Sequence, residues 1–173
     1  YMSPEQAMGK RDVDPRSDVF AQTSIMYELA TGEIAFAADS VQEILNKIIS
    51  EDPSAVRITN PAYPSSFEEV VRKGLRKDKL ERFGSSYELA EAMLGAFGLG
   101  PDIERWAATP VDMIGTAIDN APQPPGLASP SPPPFTSTVA PELPTRSHRG
   151  AQLVAGFVLA SAELLGALLL LRA

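Results

Sequence analysis

The sequence predicts a mainly α fold, followed by a disordered Pro-rich linker and one transmembrane helix. Three observations predict it. Serine-led helix starts, each followed by apolar residues at helical spacing, recur through the first 97 residues. Ten of the 16 prolines fall between residues 106 and 149. The run from Ala151 to Leu171 is almost continuously apolar. The expected division is a helical domain over 1–97, a linker over 98–149 and a membrane helix over 150–172.

The helix starts are written as capping boxes, in which a serine oxygen and an acid or amide three residues later satisfy free backbone N–H groups. Ser3 with Gln6 is one, and Pro4 between them suits a first helical position. Ser40 with Glu43 precedes Val41, Ile44, Leu45 and Ile48, which share one face. Ser66 with Glu69 leads into Phe67, Val70, Val71 and Leu75, and Ser85 with Glu88 into Leu89, Met93 and Leu94. From Ser17 to Thr31 the pattern differs. Val19, Phe20, Ile25, Met26, Tyr27, Leu29 and Ala30 surround the helix axis, so this segment is expected to be the central helix, buried on most sides. Gly32 supplies its stop.

In the linker, Pro122 to Pro144 is rich in Pro, Ser and Thr. Such chain buries too little apolar surface to offset its ordering and is expected to be extended. Ile103, Trp106, Val111, Met113, Ile114 and Ile118 are expected to form a short helix docked on the domain or on the membrane surface. Ala151–Leu171 would span roughly 31 Å as a helix, about the thickness of the hydrocarbon core. Arg146, His148 and Arg149 flank it on one side and Arg172 on the other, which favours the linker side as cytoplasmic.

Composition excludes several functions. Residues 1–105 carry 12 of the 15 Lys+Arg and 18 of the 22 Asp+Glu, an acidic balance unsuited to nucleic acid. With no cysteine, disulfides, thiolate metal sites and Cys nucleophiles are absent. A lone His148 beside arginines offers no His-based metal cluster.

Four strings then occur in order: Tyr1-Met2-Ser3-Pro4-Glu5-Gln6, Ser17-Asp18-Val19-Phe20, Tyr27-Glu28-Leu29-Ala30-Thr31-Gly32, and Gly74-Leu75-Arg76-Lys77-Asp78 before Arg82-Phe83. Together they resemble the C-terminal lobe of eukaryotic-type serine/threonine protein kinases, of the bacterial membrane-anchored kind. The resemblance implies that Tyr1, Met2, Ser3 and Pro4 end the activation segment and shape a pocket for the protein substrate. It implies that Asp18 accepts backbone N–H bonds from the catalytic loop. It also implies that Glu5 and Arg82 form a buried bidentate pair; without the resemblance, each would read as a solvated surface charge. Gln22-Thr23 stand where the family usually has an apolar residue and then Gly, Ala35-Phe36 where it has Pro-Phe, and Lys79 where it often has Pro.

The chemistry of that family uses a Gly-rich loop, a strand Lys, a catalytic-loop Asp and Mg²⁺ ligands. The sequence holds no Gly-x-Gly-x-x-Gly, His-Arg-Asp or Asp-Phe-Gly. Asp12, Asp14 and Asp78 read as surface charges. A chain that begins with Tyr1 and lacks these motifs reads as a fragment: ATP and Mg²⁺ belong to the parent, no metal ligand is expected, and the fragment alone is expected to be inactive. Without the family helix that precedes the catalytic loop, one apolar side of the central helix would face water, and Asp18 would lack partners.

Within the membrane segment, Glu163 is an ionisable group at mid-bilayer, and Gly156-x-x-x-Ala160 and Ala162-x-x-x-Gly166 are small-residue pairs. They point to a homodimer through this helix, against the plainer reading of a simple anchor. The expected function is that of the C-terminal part of a single-pass cell-membrane kinase, its lobe cytoplasmic, that transfers the ATP γ-phosphoryl group to Ser or Thr of proteins. The alternative is a catalytically inactive pseudokinase or membrane-tethered scaffold. A tail-anchored adaptor using Pro130-Ser131-Pro132-Pro133 for aromatic grooves is a third reading.

Overall fold

The structure is a computed structural model that describes residues 1–122. Its elements are α1 (Pro4–Ala7), α2 (Pro15–Thr31), α3 (Val41–Ser50), α4 (Val56–Thr59), α5 (Ser65–Gly74), a 3₁₀ turn (Lys79–Glu81), α6 (Ser86–Ala96), α7 (Ile103–Ala107) and α8 (Val111–Asn120). Among the described residues there is no strand. The segment expected to cross the membrane, with Gly156, Glu163 and Gly166, and the Pro-rich stretch from residue 123 lie outside the described residues. No helix among the described residues is long and apolar enough to cross a membrane.

Helix α2 is the centre. Asp14 caps it by accepting from Arg16 N at 2.9 Å, Pro15 occupies its first turn, and Gly32 ends it in the left-handed region at φ 76°. Helices α4, α5 and α6 pack around it. Val19, Phe20, Met26 and Tyr27 lie in the core with Phe67, Leu75, Leu89, Met93 and Leu94. Buried hydroxyls along α2 bond back one turn. Thr23 Oγ1 donates to Val19 O at 2.7 Å and Ser24 Oγ to Phe20 O at 2.9 Å, so neither is stranded.

Two members of the expected apolar surround are not buried. Ile25 is 42% exposed and Leu29 59%. With Asp18 they make one exposed stripe at helical spacing. Apolar periodicity says that a face wants cover, and here no described element supplies it.

Ser40 and Ser85 cap α3 and α6 by accepting from Glu43 N and Glu88 N, both at 3.2 Å. Ser3 N donates to Gln6 Oε1 at 2.9 Å. Ser66 does not cap α5. That helix starts two residues earlier, after Pro64, and Ser66 Oγ instead donates to Ala96 O at 2.7 Å. The hydroxyl satisfies a free carbonyl at the end of α6 and ties the two helices together.

Packed chain continues past Phe97, where composition had placed the start of a linker. In place of one docked helix there are two. Ile103, Trp106 and Ile114 are buried against the lobe, and Trp106 Nε1 donates to Gly100 O at 2.9 Å. Gly98 turns the chain at φ 73°, and a Cβ there would lie 2.9 Å from the Ala121 side chain. The end of α8 therefore returns to the end of α6. The apolar residues that hold it are too few for a strong periodic signal but enough to dock.

Candidate functional site

Glu5 lies in the first turn of α1, and Arg82 follows the 3₁₀ turn, 77 residues later. The structure brings them together in the interior, with side chains 5% and 0% exposed. Arg82 Nη1 donates to Glu5 Oε1 and Nη2 to Glu5 Oε2, each at 2.8 Å, a fork-to-fork pair. The remaining donors are also used. Nε donates to Arg76 O at 2.7 Å, Nη1 to Arg16 O at 3.0 Å and Nη2 to Lys77 O at 3.1 Å. The guanidinium lies 5.0 Å from the Phe20 ring centroid. Ser17 Oγ adds a 2.6 Å bond to Glu5 Oε1. This full satisfaction is what lets two charges sit in the core. One side chain thereby binds the opening segment, the start of α2 and the turn after α5.

Burial alone would raise the Glu5 carboxyl, but the hydrogen bonds from Arg82 and Ser17 outweigh it and hold it at about 2. That value lies below the ordinary 4.5, so the pair's stabilisation is fully present above about pH 4.5 and is lost as pH falls toward 2. The stability gap between the wild-type chain and Glu5→Gln, read by urea unfolding, is therefore expected to be constant above pH 5 and to close toward pH 2. A gap that does not change with pH would contradict the assignment.

Asp18 lies exposed in the first turn of α2. Among the described residues nothing donates a hydrogen bond to it. Ser3 and Pro4 are buried, whereas Tyr1 and Met2 are 61% and 47% exposed. Tyr1 OH donates to Glu28 Oε2 at 2.6 Å, which fastens the first residue to α2. None of these four residues lines either of the two clefts along α5. Those clefts, of about 370 and 300 Å³, are lined by residues such as Glu69 and Lys73, the second also by Phe83 and Ala92 of α6.

The three acids read as surface charges have structural tasks. Lys79 Nζ pairs with Asp12 Oδ2 at 2.7 Å and Asp14 Oδ2 at 3.0 Å, while Asp78 caps the 3₁₀ turn through Leu80 N at 2.9 Å. Lys79, which stands where the family often has Pro, thus clamps the loop before α2. Lys77 and Ser17 also join the network around Arg82 without having been singled out by sequence reasoning. The signal available for both was their place in the motif strings Ser17-Asp18-Val19-Phe20 and Gly74-Leu75-Arg76-Lys77-Asp78.

No protein-family model matches the chain. It is 41% identical over 93 residues to the serine/threonine-protein kinase PksC of Streptomyces coelicolor, covering 54% of this chain and 16% of that protein. Over 135 residues it is 31% identical to the serine/threonine-protein kinase PknB of Mycolicibacterium smegmatis, covering 72% of this chain and 21% of the relative. This chain is a homologue of bacterial serine/threonine kinases. The kinase PrkC of Bacillus subtilis is 40% identical over 94 residues, 54% of this chain and 14% of its own length. The chain thus spans about a fifth or less of these kinases.

Kinase chemistry calls for a nucleotide and divalent metal. Among the described residues no three His, Cys, Asp or Glu side chains are grouped to hold a metal ion. The clefts beside α5 mix acids and bases on an open surface. The Gly-rich loop, His-Arg-Asp and Asp-Phe-Gly motifs that hold ATP and Mg²⁺ in the resembled family do not occur among the described residues.

Proposed function

We propose that the chain is the C-terminal part of a membrane-anchored serine/threonine protein kinase, contributing the substrate-side lobe and the anchor. The observation that carries this reading is the Glu5–Arg82 pair. It joins the opening motif to the last motif of the kinase resemblance and locks residues 1–8 onto the helical lobe. Glu5 thereby holds the segment that would border the protein substrate, and α2 supplies the floor beneath it.

The exposed stripe of Asp18, Ile25 and Leu29 supports the same reading. It is an apolar face ending in an acid, suited to preceding chain that brings aliphatic side chains and backbone N–H groups. In the parent protein, ATP and Mg²⁺ supply the transferable phosphoryl group and the charge neutralisation for its transfer. Their ligands belong to that preceding chain, and no step is assigned to the residues described. Segment 150–172 would hold the lobe at the cytoplasmic face of the cell membrane, and Gly156, Glu163 and Gly166 suit pairing with a second copy.

The test is phosphoryl transfer from labelled ATP to casein, by membranes containing the whole reading frame that includes this chain. The whole product is expected to label casein on Ser and Thr, and the 173-residue chain alone to give none. A folded whole product without transfer would overturn the enzymatic reading.

A further inference from the structure

We propose that Lys77 is a positioning residue that couples helix α3 to the buried Glu5–Arg82 pair, so that loosening either loosens the other. The coupling rests on packing within this chain and stands whether or not the parent protein is an active kinase.

Helix α3 needs such a tether. Of its ten residues only Ile48 is fully buried, Ile44, Leu45 and Ile49 are half-buried, and Val41 is 73% exposed. Hydrophobic burial alone therefore holds it weakly. Its last turn receives Lys77 Nζ, which donates to Ile48 O at 2.9 Å and Lys47 O at 3.3 Å. A cation donating to the final carbonyls is the favourable partner for a helix C-terminus. The ammonium is itself held from the side, 4.0 Å from the centroid of Phe36 and 5.7 Å from that of Phe20. These rings stack on each other at 5.9 Å.

The same residue is bound from the other direction. Its carbonyl accepts Arg82 Nη2 at 3.1 Å, and the Arg82 guanidinium lies over Phe20. Lys77 thus touches α3 with its side chain and Arg82 with its backbone, while Phe20 faces both cations. Helix α1, which carries Glu5, also packs on α3. A shift of Arg82 moves the carbonyl and ring that aim Lys77, and a loss of Lys77 frees the turn that flanks α1. Burial pushes the ammonium down to about 8, opposed by Asp52, reinforced by Arg82 and opposed again by Glu51.

The experiment is hydrogen exchange on the full chain, comparing wild type with Lys77→Met, Lys77→Arg, Glu5→Gln and the Lys77→Met/Glu5→Gln double variant. Lys77→Met is expected to speed exchange of amides 45–51 about tenfold or more, and that of amides 7–10 by a smaller factor, while α5 and α6 change less than about twofold. Lys77→Arg should recover part of the protection. Glu5→Gln should also speed α3 exchange, and the double variant should fall short of the product of the single effects. Unchanged α3 exchange in Glu5→Gln would overturn the proposal, as would independent effects in the double variant. If Lys77→Met does not fold, Glu5→Gln and Lys77→Arg decide it alone: α3 fully protected in both is the contradicting result.

Discussion

Arg82→Ala is expected to cost about 3–5 kcal/mol and to lower the melting temperature by roughly 10–20 °C. The magnitude follows from what is left behind. Removing the guanidinium strands Glu5 as a buried carboxylate, and also leaves Arg16 O, Arg76 O and Lys77 O without their donor. Ser17 Oγ and a backbone N–H remain to Glu5, too little to replace the guanidinium. Arg82→Lys keeps the charge but not the five-donor fork, so it should recover only part of the loss. The pair must also be non-additive. Once Arg82 is alanine, Glu5→Gln should change little or even stabilise, because it removes a charge that has lost its partner. A melting temperature within about 2 °C of wild type for Arg82→Ala would contradict the buried pair.

Gly74→Ala is expected to destabilise by about 1–3 kcal/mol, the cost of overpacking a core, against a helix preference that alone would favour alanine. Gly74 closes α5 against α2, and a Cβ there would run into Thr23 Oγ1, with Thr23 Cγ2 and Cβ at 2.8 and 2.9 Å. Thr23 is fully buried, β-branched and bonded to Val19 O, so it has no room to turn away. Thr23 stands where the resembled family usually has glycine, so the small residue that permits this close approach lies on the facing helix. Thr23→Gly together with Gly74→Ala should therefore recover much of the loss, whereas additive effects or a stabilised Gly74→Ala would sink this account of the contact.

How far the sequence could be read depended on whether the information was local. Ser40 and Ser85 announced their helices because a cap and the N–H that donates to it lie three residues apart. Glu5 and Arg82 are 77 positions apart and were legible only through the order of motifs. Ser66 carried the same local signal as the true caps, but Pro64 began the helix earlier and the hydroxyl found Ala96 O. Thr23 was visible as a departure, yet its counterpart Gly74 could not be named without the packing of α2 on α5. Lys77 stood within a motif string, but nothing local reports the two rings that its ammonium faces. Ile25 and Leu29 were apolar at helical spacing, which fixes a face but not what covers it. Ile103, Trp106 and Ile114 were correctly grouped as a docking set, though two helices carry them instead of one.

The most direct test of the central claim is to read the coding sequence immediately upstream of the Tyr1 codon. The account predicts an in-frame stretch that encodes a Gly-rich loop, a strand Lys, His-Arg-Asp with its Asn, and Asp-Phe-Gly, followed without a break by Tyr1. An in-frame stop, or an upstream lobe lacking that Lys and those Asp residues, would contradict it and favour the scaffold reading.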